Sequence, residues 1–280
     1  MSGFVIAAVL FGALLHAAWN VLVKSGGDKL LDVALLACAS AVVSCAMLPF
    51  LPAPAPQSWP YIVASACVEV GYFALVAAAY RTGDLSYVYP IMRGTAPLLT
   101  AVATGWFVTD HLTPGNWYGI LLISAGLLLL PADQWLRGRF HVASTLFAFA
   151  TAIVICTYTV IDGLGSRVSG NAFSYVAWMM ALNGLLLALF LLLRQPAAAM
   201  RRIRAHCLPL LGGGLCAWAS YAIALWAMTH APIAMVAALR ETSVIFGTVL
   251  ASAVLKERFG SARYAASFLV CAGAVSLKVF

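Results

Sequence analysis

Apolar residues run along this chain in long unbroken stretches, separated by short clusters of Pro, Gly, Arg and Lys. A helix needs ~20 apolar residues to cross ~30 Å of hydrocarbon, whereas a barrel strand needs about ten that alternate. The stretches here are continuous, so they predict helices. Ten are predicted, over 3–23, 30–51, 59–80, 85–108, 114–131, 141–162, 171–193, 206–229, 232–255 and 261–279. The expected fold class is an all-α polytopic membrane protein with ten transmembrane helices. The first span starts apolar at Gly3 with no basic segment before it, so it is expected to remain in place and not to be a cleaved signal. The connectors are punctuated by residues that interrupt helices: Pro52, Pro54 and Pro56 in succession, and glycine in Ser25-Gly26-Gly27 and Arg81-Thr82-Gly83.

Composition sharpens this picture. Of 280 residues, 64% are hydrophobic and 9% charged, with a mean hydropathy of +0.98. A soluble domain carries roughly 25% charged residues. A soluble enzyme, a nucleic-acid binder and a disordered chain are therefore excluded, and the net charge of +7 is read as setting orientation in a lipid bilayer. The seven cysteines contain no CxxC pair, and the five histidines are not spaced as metal ligands. HExxH, glycine-rich phosphate and GxSxG patterns are missing. No cofactor, no metal and no nucleic-acid partner is expected, and the chain is not read as an enzyme.

Offset by 147 residues, the chain matches itself: Arg93 meets Arg240, Thr95 meets Thr242, Asp110 meets Glu257, and Ala125-Gly126 meets Ala272-Gly273. Each unit then holds five spans, 1–135 and 136–280. An odd number of spans makes the second unit enter the bilayer from the opposite side, giving an inverted repeat of the kind found in secondary transporters. Connectors after odd-numbered spans hold Lys24, Lys29, Arg81, Arg137, Arg139, Arg194, Arg201, Arg202, Arg204, Lys256, Arg258 and Arg263. The other face holds only Arg167 and Lys278. The positive-inside rule then places the odd connectors in the cytoplasm and both termini outside the cell membrane.

Tyr89-Pro90-Ile91-Met92-Arg93-Gly94-Thr95-Ala96-Pro97, the turn Asp110-His111-Leu112-Thr113 before Gly119, and Glu257-Arg258-Phe259 before Ala272-Gly273 resemble the EamA branch of the drug/metabolite transporter superfamily. The resemblance covers the whole chain and speaks to architecture more than substrate. It implies two five-helix units and transport of a metabolite. Members of that family are usually drawn with both termini cytoplasmic, opposite to the charge count. A narrower resemblance is to EamA-type proteins associated with phosphonate utilisation.

Ionisable groups at membrane depth cost roughly 2.5–3.5 kcal/mol each, so they face a cavity or a partner. Five stand out: His16, Glu69, Arg93, Arg240 and Glu241. Arg93 and Arg240 would attract an anion, because the guanidinium fork matches carboxylate or phosphonate oxygens. The alternative is that Glu69 or Glu241 neutralises each arginine in a structural pair. Glu69, ten residues into its span, is a candidate for coupling a proton, and His16 for relaying one or contacting solute. Tyr72 shares a helix face with Glu69, and Trp19, Asn20, Tyr89 and Tyr221 offer rings and polar tips to a pocket. Pro90 and Pro97 flank Arg93, so the fourth helix is expected to kink or break there. Gly213, within Gly212-Gly213-Gly214, is expected to act as a hinge or as a close helix contact. Asn183 is read equally as interhelical glue or ligand.

Together these residues point to a gradient-driven transporter of a small polar solute, zwitterionic or anionic, working by alternating access. Two other readings stay open: an exporter of hydrophobic or cationic compounds, and a membrane scaffold or assembly protein that moves nothing. The coupling ion, a proton among the candidates, and the choice between monomer and homodimer are not set by these residues.

Overall fold

The computed structural model of the chain describes residues 1–24, 28–82, 85–108, 110–132, 134, 141–255 and 261–279. The turns at Ser25-Gly26-Gly27 and Gly83, the residues Trp135, Arg137 and Arg139, and the second acidic turn at Glu257-Arg258-Phe259 lie outside the described residues. All regular structure among those described is helical: α1 (Gly3–Lys24), α2 (Lys29–Met47), α3 (Trp59–Thr82), α4 (Leu85–Phe107), α5 (Pro114–Leu129), α6 (Val142–Val168), α7 (Ala172–Arg194), α8 (Pro196–Met228), α9 (Ile233–Arg240), α10 (Ser243–Leu255) and α11 (Ser261–Val279). Two short 3-10 turns, Leu48–Phe50 and Pro56–Ser58, border the proline-rich connector.

Among the described residues, eight stretches are long and apolar enough to cross a membrane. Two helices counted in the expected ten fall outside that set. The apolar helix α5 spans only Pro114–Leu129, and α4 carries Arg93, two prolines and a row of threonines. The chain is a polytopic helical membrane protein. Large apolar side chains point outward along the helices, with Phe4, Trp106, Leu193 and Phe268 between 73% and 82% exposed. A soluble surface seldom carries so many, whereas lipid does not penalise them.

Local chemistry explains the helix ends. Asp28 caps α2 by accepting from Leu31 N at 3.1 Å. Thr113 and Asn116 form a reciprocal capping box at α5, with Pro114 in the first turn. Gly170, at φ +76°, turns the chain out of α6, and Asn171 then caps α7. α6 therefore runs six residues past the expected end at 162, which moves Asp162 well inside a helix. The basic stretch 194–205, expected as a loop, is helical: α8 begins at Pro196 and carries a single non-helical residue, His206 (φ −136°, ψ 31°), just before Pro209. Arg202 on this segment holds Asp32 at 2.7 Å through two nitrogens.

Helices of the two halves of the chain pack against one another in matching pairs. α1 lies on α8 and α3 on α6, α2 lies on α7, and α5 lies on α11. Small residues permit the tightest of these contacts. On α5, a Cβ at Gly119 would stand 2.9 Å from Gly273 O, and one at Gly126 would stand 2.9 Å from Ala266 O. Gly213 and Gly214 serve the same purpose against α2. A Cβ at Gly213 would meet Leu36 at 2.6 Å, and one at Gly214 would meet Ala39 Cβ at 2.7 Å. Both glycines lie within continuous helix, and the irregular backbone of α8 sits at His206. Gly213 thus sits in a close helix contact, and the irregular backbone of α8 lies seven residues earlier, at His206.

Candidate functional site

The central polar site is built where α4 meets the break in the ninth span. Pro97 has no N–H to offer the carbonyl of Arg93 one turn earlier, so backbone polarity is freed beside the guanidinium. α4 nevertheless continues as helix through both Pro90 and Pro97. The interruption expected there occurs instead in the ninth span, between α9 and α10. At Glu241 and Thr242 the backbone tightens to bonds three residues back, onto Ala238 O at 3.0 Å and Leu239 O at 3.1 Å. With the offset of 147, this break falls opposite Gly94 and Thr95 of α4. One copy bears the prolines and the other bears the break.

Arg93 and Glu241 meet across these two elements. Arg93 Nε donates to Glu241 Oε2 at 3.0 Å, and its Nη2 lies 2.9 Å from Oε1. The side chains are only 11% and 6% exposed. Of the two acids weighed for Arg93, Glu241 is the one that pairs with it. Arg240, the neighbour of Glu241 in sequence, turns to another face and stacks its guanidinium carbon 5.1 Å from the Tyr221 ring centroid. Its Nε is buried and has no hydrogen-bond partner. Arg93, Pro97, Thr100, Tyr158, Arg240 and Glu241 line a gap of about 10 Å³. That is room for one water molecule, so this conformation is closed around the arginines.

A second polar cluster adjoins the first through Tyr221. Asp162 on α6 is fully buried and accepts hydrogen bonds from Tyr175 OH on α7, at 2.8 Å, and from Tyr221 OH on α8. Glu69 on α3 accepts from Asn183 Nδ2 on α7 and feels the charge of Asp162. Asn183, read from sequence as glue or ligand, therefore touches a candidate residue. Asp162 and Tyr175 were not singled out by the pattern of spans, because ending the sixth span at 162 placed the aspartate at the headgroups. The signal that could have found them is the run of small residues Gly163, Gly165 and Ser166, which continues the helix to the Gly170 turn.

Most of the other expected residues gather here. Tyr72 stacks edge-on with Tyr158 at 5.9 Å and, with Tyr89, feels the charges of Arg93 and Glu241. His16 on α1 lies in the field of both Arg93 and Arg240. Trp19 and Asn20 stay with their own helix. Trp19 packs edge-on against the His16 ring at 4.9 Å, and Asn20 Nδ2 donates back to His16 O at 2.8 Å. They shape His16 and are not brought to the arginines.

A third cluster closes one end of the bundle. Asp110, between α4 and α5, binds Arg167 at the end of α6 through two bonds of 2.8 and 3.0 Å. Asp110 also accepts from Ile233 N at 2.8 Å, while Arg167 donates to Met228 O and Ala231 O. Asp110-His111 is therefore a structural tie joining three connectors.

With the geometry in place, comparison with known proteins shows what the chain is similar to. Residues 143–278 match the EamA-like transporter family. The EamA match covers α6 through α11 almost completely and therefore includes Asp162, Asn183, Tyr221, Arg240 and Glu241. No curated protein matches the chain. A solved crystal structure with 19% sequence identity superposes with a TM-score of 0.73 over 98% of both chains, so the whole bundle, first half included, shares a fold already seen by experiment.

Proposed function

We propose that this EamA-type protein is a secondary transporter of a small zwitterionic or anionic solute, seated in the cell membrane and driven by a gradient. The observation that carries the reading is the closed central site. A buried Arg93–Glu241 pair stands beside a second guanidinium, Arg240, whose Nε is unpartnered. A buried donor without an acceptor is uncommon in a finished structural core. A carboxylate or phosphonate arriving there would take the Arg240 donor and compete with Glu241 for the Arg93 fork. No catalytic step is assigned to any residue.

Alternating access is the mechanism we infer, with 1–135 and 136–280 as two inverted five-helix units and ten spans in all. The pairing of helices supports it. α1 on α8 and α3 on α6 exchange under the repeat, while α2 on α7 and α5 on α11 map onto themselves. The Gly119–Gly273 and Gly126–Ala266 contacts exchange in the same way. The broken ninth span at the solute site, with polar backbone at mid-depth, is the element such transporters use to grip a solute. Termini outside remain our reading of the basic connectors, and Arg167, one of two cations on the opposite face, is neutralised by Asp110.

The test is thermal stabilisation of the purified protein by a panel of amino acids, aminophosphonates, nucleosides, sugars and hydrophobic cations. It is repeated on the double variant Arg93→Leu/Glu241→Gln, in which no carboxylate is stranded. A ligand that binds only the folded state raises Tm with concentration. Zwitterionic or anionic solutes are expected to stabilise the wild type and not the double variant, with vesicle uptake lost in parallel. Equal stabilisation of both proteins by hydrophobic cations would move the drug-exporter reading ahead. Failure of every solute would leave the scaffold reading.

A further inference from the structure

We propose that Glu69 and Asp162, together with Ser65 Oγ and Asn183 Oδ1, form a subsite for the protonated amino group of the transported solute. This deepens the transporter reading above and rests on it. Two observations carry the proposal. The first is charge: among the described residues of the two adjoining polar clusters, three carboxylates (Glu69, Asp162, Glu241) face two guanidiniums (Arg93, Arg240). Glu241 is matched by Arg93, and the Asp162 carboxylate meets Arg240 only across the Tyr221 ring. Glu69 has an amide donor, Asn183, and no cation in hydrogen-bond contact. An uncompensated carboxylate away from water is costly, so the cluster calls for one more positive charge, supplied by a proton on Glu69 in the empty site and by a cationic group when one is bound.

The second observation is a set of orphaned acceptors in the same place. Ser65 is fully buried one helical turn before Glu69 and within reach of Asp162, to which its hydroxyl can donate while the oxygen's lone pairs stay open. Asn183, 4% exposed, donates to Glu69 through Nδ2 and leaves its Oδ1 unpartnered. The two Asp162 oxygens each accept one tyrosine hydroxyl, which leaves lone pairs on both. An ammonium group carries three donors and no acceptor, which matches this all-acceptor surface. Tyr221 links the two ends, with its hydroxyl on Asp162 and its ring face under Arg240. A solute with an acid at one end and an amine at the other would lie along that ring.

Matched pairs of compounds test the assignment: 4-aminobutyrate against butyrate, and 2-aminoethylphosphonate against ethylphosphonate, by Tm shift and by Kd. For at least one pair, the amine-bearing compound is expected to stabilise the wild type and its deaminated partner to bind about tenfold or more weakly. The isosteric variants Asp162→Asn and Glu69→Gln are expected to erase that difference, and Glu69→Gln carries the test alone should Asp162→Asn not fold. Equal binding of amine and deaminated acid to the wild type overturns the amine subsite. So does stabilisation by sodium chloride alone that Asp162→Asn removes, which would make the site one for a coupling ion. Deaminated acids that bind the wild type as tightly as their amine-bearing partners, and do not bind Arg93→Leu/Glu241→Gln, overturn the amine subsite and leave the transporter reading standing. A chain stabilised by neither pair overturns both.

Discussion

Among the described residues, two of the arginine–carboxylate pairs, one at the end of the bundle and one at its centre, have very different surroundings. At the end of the bundle, Arg167 uses all three nitrogens: two on Asp110, with Nε and Nη2 also reaching the carbonyls of Met228 and Ala231. Asp110 takes a backbone N–H as well. At the centre, Arg93 and Glu241 satisfy mainly each other, and the neighbouring Arg240 keeps a buried Nε without a partner. A network with every donor matched holds connectors in place. One with vacant donors and acceptors in low dielectric gains from binding something else, and that incompleteness is what supports the proposed solute site.

The contrast breaks first at Asp110. Removing its carboxylate strands Arg167 and the Ile233 N–H together, so Asp110→Ala is expected to destabilise the protein by roughly 2–4 kcal/mol. Denaturant or thermal unfolding of the purified protein measures this, and a loss under ~1 kcal/mol would mean the tie is ornamental. Next comes packing between the halves. Gly273→Ala pushes a methyl to within 2.6 Å of Gly119 O, a backbone atom that cannot swing aside. A loss of roughly 1–3 kcal/mol is expected in the same assay.

The central pair should behave in the opposite way. Exchanging both partners of a buried ion pair for neutral groups is often close to neutral in stability. Arg93→Leu/Glu241→Gln is therefore expected to unfold within ~1 kcal/mol of the wild type while losing solute-dependent stabilisation. A drop as large as that of Asp110→Ala would erase the distinction between the two pairs. The smallest effect is reserved for Arg202→Ala. Arg202 and Arg167 are equally exposed, at 27%, but among the described residues Arg202 bonds Asp32 alone, and its loss strands no backbone group. A cost of about 1 kcal/mol or less is expected, shrinking as salt is added.

Much of this site was legible before any fold. Arg93, Arg240, Glu69 and Glu241 announce themselves because charge inside an apolar run has few innocent explanations. Asp162 was hidden because its place depends on where α6 ends, and hydropathy fades gradually near a helix terminus, whereas the stop is set locally by Gly170 and Asn171. Trp19 and Asn20 show a related limit. A polar tip on a span reads the same whether it points into a cavity or bonds back to its own helix, as Asn20 does. Pro90 and Pro97 do not break α4, because a helix packed on its neighbours can absorb two missing hydrogen bonds, while the equivalent depth of the other copy is interrupted without a proline to mark it.

By itself, the sequence determined that the chain lives in a membrane, that its spans are helical, roughly where each begins, and that a few charges lie too deep to be idle. These follow from solvation, which each residue feels through its own side chain and near neighbours. Only the tertiary structure decided which carboxylate Arg93 takes, that Arg240 leans on Tyr221, that Asp162 comes within electrostatic reach of Glu69, and that Asp110 ties three connectors together. Those outcomes depend on which helix faces meet, and in a chain so uniformly apolar almost every face is equally content against lipid. The choice falls to close contacts between small residues and to matching a few buried polar groups, neither of which a one-dimensional pattern records.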